Sequence, residues 1–292
     1  EDLGDEELCR RRLLADRGVA KVRLTGGEPT LRRDLPNLVG RLARIHGLHE
    51  INLTTNGSRL IGLARPLKEV GLSRVTVSVD SLDDDTFRAM NDANFPIGRV
   101  LDGIEAAQAA GFADIKVNTV VKRGVNDDGI LDIARYFRGT GVTVRFIEFM
   151  DVGASNGWRT QDVVTADEIL ALVSDAFPVE PLADQYRGQV AERFRYLDGA
   201  GEIGVIASVT RPFCGDCSRL RLSADGRLYT CLFGTVSHDL RSLLRSGATD
   251  PELDCRIQTI WGRRTDRYSE RRTEKTLTSV RETRAEMSYI GG

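Results

Sequence analysis

The strongest constraint on this chain is a two-part unit that recurs through its first half. A short β-branched run ends in polar residues, an amphipathic stretch follows, and another run begins. The runs are VAKVRLT (19–25), INLTTN (51–56), RVTVSVD (74–80), IKVNTVV (115–121) and VTVRFIEF (142–149). Amphipathic stretches lie between them at 34–46, 60–71, 99–111 and 128–139, with Gly71, Gly111 and Gly141 where helices should stop. Strands that alternate with helices run parallel, because each helix carries the chain back to the same end of the sheet.

Side-chain alternation then separates a barrel from an open doubly wound sheet. One face of the runs reads Val22, Leu24; Ile51, Leu53; Val75, Val77, Val79; Ile115, Val117. The other reads Lys21, Arg23; Asn52, Thr54, Asn56; Thr76, Ser78, Asp80; Lys116, Asn118. A doubly wound sheet buries both faces and is apolar on both. A polar second face predicts a barrel, or part of one, around a wet, ligand-lined lumen. The bland alternative, an antiparallel sheet with one face in solvent, sits poorly with the intervening helices. The fifth run fits less cleanly and reads as lying near an open edge. A full barrel of this kind uses eight strands, so five strands in residues 1–150 imply an incomplete one.

From 151 the pattern changes. TADEILALVSDAF (165–177) is a helix with a capping box from Thr165 to Glu168. ERFRYL, GEIGVIA and RLRLSADGRLYTCLF read as a smaller antiparallel layer, the last folded at ADGR into a hairpin. A further helix is expected at 238–246, and the charged tail 263–286 is expected to lie extended over the surface or to be mobile. The division is therefore 1–150, a partial α/β barrel, and 151–292, a smaller C-terminal region.

Composition narrows the function. A net charge of −2 argues against a general nucleic-acid or membrane binder, and no apolar run is long enough to span a bilayer. Five cysteines, three of them clustered, suit a reducing cytoplasm and metal chemistry better than disulfides. Cys9 and Cys255 read as small buried hydrophobes. Cys214, Cys217 and Cys231 form CxxC, 13 residues, then Cys. Thiolates select zinc, copper(I) or iron–sulfur clusters. Structural zinc wants a fourth ligand, for which only His238 and Cys255 are near, while a [4Fe–4S] cluster tolerates three thiolates and leaves one iron open. Spacing alone leaves zinc and cluster both standing. Cys217, Arg219 and Arg221 alternate, which would put two guanidinium groups beside the metal on one strand face. With Lys21, Arg23 and Lys116 they describe a cationic cavity for an anionic ligand. TGGEPT (25–30) follows the first strand, where ligands bind in such folds, and its paired glycines allow close backbone approach.

These segments together resemble a known family. VRLTGGEPTLRRDL, LTTNG, VSVDSLDDDTF, VLDGIEAAQAAGF, KVNTVVKRGVNDD, VRFIEFM, PFCGDCSRLRLSADG and the terminal GG are similar, in order and along nearly the whole chain, to the radical S-adenosylmethionine GTP 3',8-cyclases that open molybdenum cofactor biosynthesis. The resemblance implies a six-stranded incomplete barrel and an N-terminal [4Fe–4S] cluster. That cluster cleaves S-adenosylmethionine to a radical, which takes hydrogen from C3' of GTP before C3' bonds to C8. It implies a second [4Fe–4S] cluster on Cys214, Cys217 and Cys231. By position, Gly27, Ser78 and Met150 would contact S-adenosylmethionine. Arg23, Thr54, Lys116, Arg219 and Arg221 would contact GTP, and Gly291 and Gly292 would form a tail reaching the site. It also implies product hand-off to the downstream cyclic pyranopterin monophosphate synthase, and a homodimer. Two rival readings are another radical S-adenosylmethionine enzyme with an auxiliary cluster, and a non-catalytic scaffold stabilised by zinc.

One departure stands out. The family holds its first cluster on CxxxCxxC, and these 292 residues contain none; Cys9 does not match it. The expectation is that the first strand and cluster loop precede Glu1 and that the chain is N-terminally truncated. Reconstituted anaerobically with iron and sulfide, the 292-residue chain should take up both yet release no 5'-deoxyadenosine from S-adenosylmethionine. Reductive cleavage would contradict the truncation, and stoichiometric zinc without sulfide would contradict the cluster.

Overall fold

Neighbouring strands of a parallel sheet set their side chains in rows, and here each row is uniform in character. The computed structural model describes residues 15–91, 94–272 and 284–291; Cys9 and Gly292 lie outside them. Five parallel strands follow in order: β1 (Lys21–Leu24), β2 (Glu50–Thr55), β3 (Arg74–Ser78), β4 (Ile115–Val121) and β5 (Val142–Glu148). Leu24, Leu53, Val75, Ile115 and Val142 align across them, as do Val77, Val117 and Val144. On the opposite face Arg23 aligns with Asn52 and Arg74, Thr54 with Thr76 and Lys116, and Ser78 with Asn118 and Arg145.

Helices cover the apolar face. They are α1 (Leu35–Ala43), α2 (Leu60–Glu69), α3 (Asp84–Asn91), α4 (Ile97–Ala109) and α5 (Ile130–Phe137). In α1 the buried residues are Leu35, Leu38, Val39 and Leu42, the i, i+3, i+4, i+7 stripe of a helix with one apolar face. They join Leu53, Val75, Val77, Phe87, Val117 and Phe146 in one continuous core. Truncating fully buried Phe146 to alanine would cost roughly 3–5 kcal/mol.

After β5 come α6 (Ala166–Ala176), β6 (Val179–Leu182), β7 (Glu192–Tyr196) and β8 (Glu202–Ile206). The Thr165–Glu168 capping box expected for α6 is present. The β8 strand pairs parallel to β5, with β7 and then β6 added antiparallel, so the sheet order is β1-β2-β3-β4-β5-β8-β7-β6. ERFRYL and GEIGVIA therefore extend the main sheet rather than forming a separate layer. The reason is the β-branched, buried character of Ile203, Val205 and Ile206, which suits a central parallel strand. Nor does β5 lie at an edge: β4 and β8 flank it, and its Arg145 continues the polar row. Gly204 of β8 makes that possible, since a Cβ there would press within 3.2 Å of the Arg145 stem. The sheet curls: the ring of Tyr186, in the loop between β6 and β7 near one edge, lies 4.7 Å from Lys21 Nζ on β1 at the other edge. A curled, mostly parallel α/β sheet is a TIM-like arrangement.

A second, small sheet carries the rest: β9 (Arg221–Leu222), β10 (Arg227–Tyr229) and β11 (His238–Asp239). The turn ADGR joins β9 to β10 as expected. Residues expected as a helix at 238–246 divide into β11 and the short α7 (Arg241–Arg245). They precede α8 (Asp250–Gly262), whose capping box from Thr249 to Glu252 marks its start. Cys255 lies on α8 and is exposed, which corrects the expectation of a buried thiol. Among the described residues no helix is long and apolar enough to cross a membrane.

One buried carboxylate joins the two regions. Glu148, at the end of β5, has no solvent exposure and accepts from the backbone N–H groups of Ala166, Val209 and Thr210 and from the Thr210 hydroxyl. It fixes the start of α6 and the strand exit that leads to Cys214. Glu148→Gln turns an amide NH2 toward those donors and should lower unfolding stability by roughly 3 kcal/mol, measured by urea denaturation.

Candidate functional site

The polar face gathers cations faster than it gathers counter-ions. At the N-terminal end of the strands Arg74 bonds Asp114 at 2.9 Å and Glu50 at 2.5 Å, Lys21 pairs with Glu50 at 3.1 Å, and Lys116 lies 3.6 Å from Asp114. Higher up, Arg23 donates only to the Thr54 hydroxyl at 3.4 Å, and Arg145 has buried Nε and Nη2 atoms with no partner among the described residues. Burial pushes Lys116 down to about 8, with Asp114 opposing and Arg74 and Arg145 adding to the push. Burial likewise lowers Arg145 to about 9, helped by Arg23 and Arg74. Arg23 is depressed first by burial and then by Arg74 and Arg219. It is ringed by protein yet keeps solvent access along the lumen, so water screens part of that repulsion.

The cysteine segment stands beside this lumen. Cys214 to Cys217 is a tight turn closed by Cys217 N–H donating to Cys214 O at 3.2 Å. Residues 217–220 belong to no strand, so Cys217 and Arg219 do not share a strand with Arg221 as expected. Arg219 instead folds back, donating to the Cys217 sulfur at 3.2 and 3.0 Å while stacking over Phe213. Burial raises the Cys217 thiol, but the charge and hydrogen bonds of Arg219 outweigh it and leave the pKa below its usual value. Cys231 is raised by burial and accepts from Phe233 N–H at 3.4 Å. It senses Cys214, and Arg221 senses Cys217 and Cys231, so the three thiols occupy one neighbourhood.

The C-terminal ends of the strands form the opposite rim. The loop after β1 is held by Glu28, which accepts from Thr30 N–H, the Thr55 hydroxyl and Asn56 N–H. Gly26 and Gly27 both adopt positive φ, which an L side chain resists. Ser78 ends β3, half-buried, and Met150 follows β5 and packs against the small cluster of Ile147, Ala191 and Ile206, as does Phe213. Gly27, Ser78 and Met150 thus lie on one rim, while Arg23, Thr54 and Lys116 lie in the lumen and Arg219 and Arg221 beside the thiols. Arg145 and Arg74 were missed by the sequence reading, although parity with Asn118 and Thr76 marks both.

The chain's end closes over this rim. A one-turn helix, α9 (Met287–Ile290), lays the Ser288 carbonyl on Gly27 N–H, and Arg221 Nε donates to Gly291 O at 3.3 Å. The described ends of segment 263–286 are not spread over the surface as expected. They converge on Asp151, which is buried one residue past Met150. Asp151 accepts from Tyr268 OH at 2.6 Å and pairs with Arg272 at 2.8 Å and Arg284 at 3.1 Å. Arg284, its side chain wholly buried, also lies over the Tyr268 ring, and Tyr268 stacks on Phe233 next to Cys231. Glu286 then accepts from Ala154 and Ser155 N–H. Arg264 on Cys217 O and Glu270 on Gly215 N–H tie the same segment to the cysteine turn.

Asp151→Asn leaves two buried guanidinium groups without their carboxylate. Hydrogen exchange should show residues 287–291 losing protection while β2–β4 keep theirs; unchanged protection at 287–291 would refute the anchor.

Comparison with known proteins identifies the family. Residues 6–137 match the Radical SAM superfamily and residues 142–270 match Molybdenum Cofactor Synthesis C. A GTP 3',8-cyclase of Acidothermus cellulolyticus is 52% identical over 297 residues, covering 94% of this chain and 82% of that protein. One from Xanthomonas axonopodis pv. citri is 49% identical over 94% of this chain and 81% of its own length. One from Staphylococcus saprophyticus is 44% identical over 99% and 85%. On this identity and coverage, the chain belongs to the radical SAM GTP 3',8-cyclase family.

Proposed function

We propose that this protein binds GTP in the cationic lumen and converts it to (8S)-3',8-cyclo-7,8-dihydroguanosine 5'-triphosphate, the first step of molybdenum cofactor biosynthesis. The observation that carries the reading is the excess of lumen cation over carboxylate: buried Arg145 and solvent-accessible Arg23 have no acidic hydrogen-bond partner among the described residues, and a triphosphate supplies one. Arg23, Thr54, Lys116 and Arg145 hold the anionic end. Arg219 and Arg221 flank the purine end beside the thiols.

Cys214, Cys217 and Cys231 hold the second [4Fe–4S] cluster in this reading. The donor set is three thiols with Arg219, Arg221 and Arg264 around them, which fits a group that is bound by thiolates and carries negative charge. Gly27, Ser78 and Met150 meet S-adenosylmethionine on the strand rim. The cofactors supply one-electron chemistry when bound; the protein's own part is to fix the triphosphate, orient the ribose and, with the tail through Gly291 and Gly292, keep water out. Residues 1–150 then serve as the barrel and 151–292 as the cluster and GTP region, although β8 completes the barrel sheet. Hand-off to the downstream synthase and a homodimer belong to the same reading.

Lys116 gives this a pH signature. Below about 8 it is charged in the free protein and assists phosphate binding; above, it must regain a proton to do so. GTP affinity, measured by calorimetry, should fall about tenfold from pH 7 to 9, with proton uptake on binding. Lys116→Met should bind more weakly and lose that pH step; a step that persists would assign the titration elsewhere.

A further inference from the structure

The curled sheet leaves a seam between β1 and the β6–β7 hairpin, and one loop spans it. Residues 183–191 leave β6, and Tyr186 crosses to β1, its ring 4.7 Å from Lys21 Nζ. The same phenol is near enough to Arg23 and Arg145 to bear on their charge. The next two residues grip the cysteine turn. Arg187 Nε bonds Asp216 at 2.8 Å, and Gly188, at φ +81°, packs so closely that a Cβ would lie 2.8 Å from Asp216 O. The loop is thus held at one end by the turn between Cys214 and Cys217 and hangs its aromatic residue over the cationic lumen at the other. Tyr186 is 53% exposed, so burial does not explain an aromatic there, and its contact with Lys21 uses the ring and leaves the hydroxyl without a role.

We propose that Tyr186 is a substrate-contacting residue whose hydroxyl donates to a phosphate oxygen of the bound nucleotide, so that the loop selects nucleoside triphosphate over the bare nucleoside. A phenol among Lys21, Arg23 and Arg145 is a neutral donor placed where every other donor is charged. It adds a hydrogen bond to the anion without adding to the mutual repulsion of the cations. The Arg187–Asp216 latch, exposed on both sides, adds little stability of its own and serves to set where Tyr186 stands.

The inference rests on the lumen being the GTP site, and the test separates the two. Calorimetry on the 292-residue protein compares GTP with guanosine for the wild type and for Tyr186→Phe. A hydrogen bond to a charged acceptor predicts about a tenfold loss of GTP affinity in the variant with guanosine unchanged. Wild-type protein that binds no GTP would overturn the site itself. Wild-type binding with an unaltered Tyr186→Phe, or equal losses for GTP and guanosine, would overturn the role of Tyr186 alone. Nitration of wild-type protein gives an independent measure: GTP should shield Tyr186 from tetranitromethane at least fivefold, guanosine should not, and equal shielding by both would count against the phosphate contact.

Discussion

Lumen positive charge in search of an anion is the condition on which this structure turns. Arg23, Arg74, Lys116 and Arg145 come from four strands that align in register, so none can leave the lumen without breaking a row of the sheet. Glu50 and Asp114 neutralise only the end nearest the strand N-termini. The apolar face of the same strands supplies the stability that lets the other face stay repulsive. A core running from Leu24 through Val144 to Ile203 offsets several unfavourable pairs at once. Fold and site are thus two faces of one alternation, and a one-residue register slip would destroy both.

The same alternation explains what was legible from residues alone. Parity located Arg23, Thr54 and Lys116 on the lumen face, because a strand has only two sides. Arg74 shares its parity with Thr76, and Arg145 was obscured because Ile147 shares its face of β5 while Glu148 shares the apolar one. The Thr249–Glu252 pair likewise announces α8 in the manner of Thr165–Glu168. Other features had no local signal. Glu148 reads as a misplaced charge until Ala166, Val209 and Thr210 bring their N–H groups to it. Asp151 reads as a loop residue until Arg284 reaches it. Tyr186 sits in a polar loop whose target on β1 no periodicity predicts. Nothing in Cys217-x-Arg219 distinguishes a strand face from the backward fold that puts a guanidinium on sulfur.

The charge balance also divides labour between the two ends of the strands. The lumen end is rich in cations fixed by strands, and the rim end is rich in backbone groups fixed by glycines and by the Glu28 carboxylate. The thiols stand where the two meet, with Arg219 sensed from β1 and Met150 packed against the same small cluster as Phe213. Rigid elements place the charged contacts, and loops place the contacts in which shape decides.

The Asp151 anchor has a consequence in the time domain. Asp151 leaves the ribosome 117 residues before Tyr268 and 133 before Arg284. Pairings of such long range form late, because a large loop must close before they return anything. A nascent or C-terminally shortened chain can therefore assemble its strands and helices while a carboxylate at the end of β5 still faces water, and Gly27 N–H still lacks the carbonyl of Ser288. In such a chain secondary structure and much of the core precede the site, and far-UV dichroism would recover before the last turn of chain docks. Kinetically, the site is finished by residues translated long after the sheet that carries it.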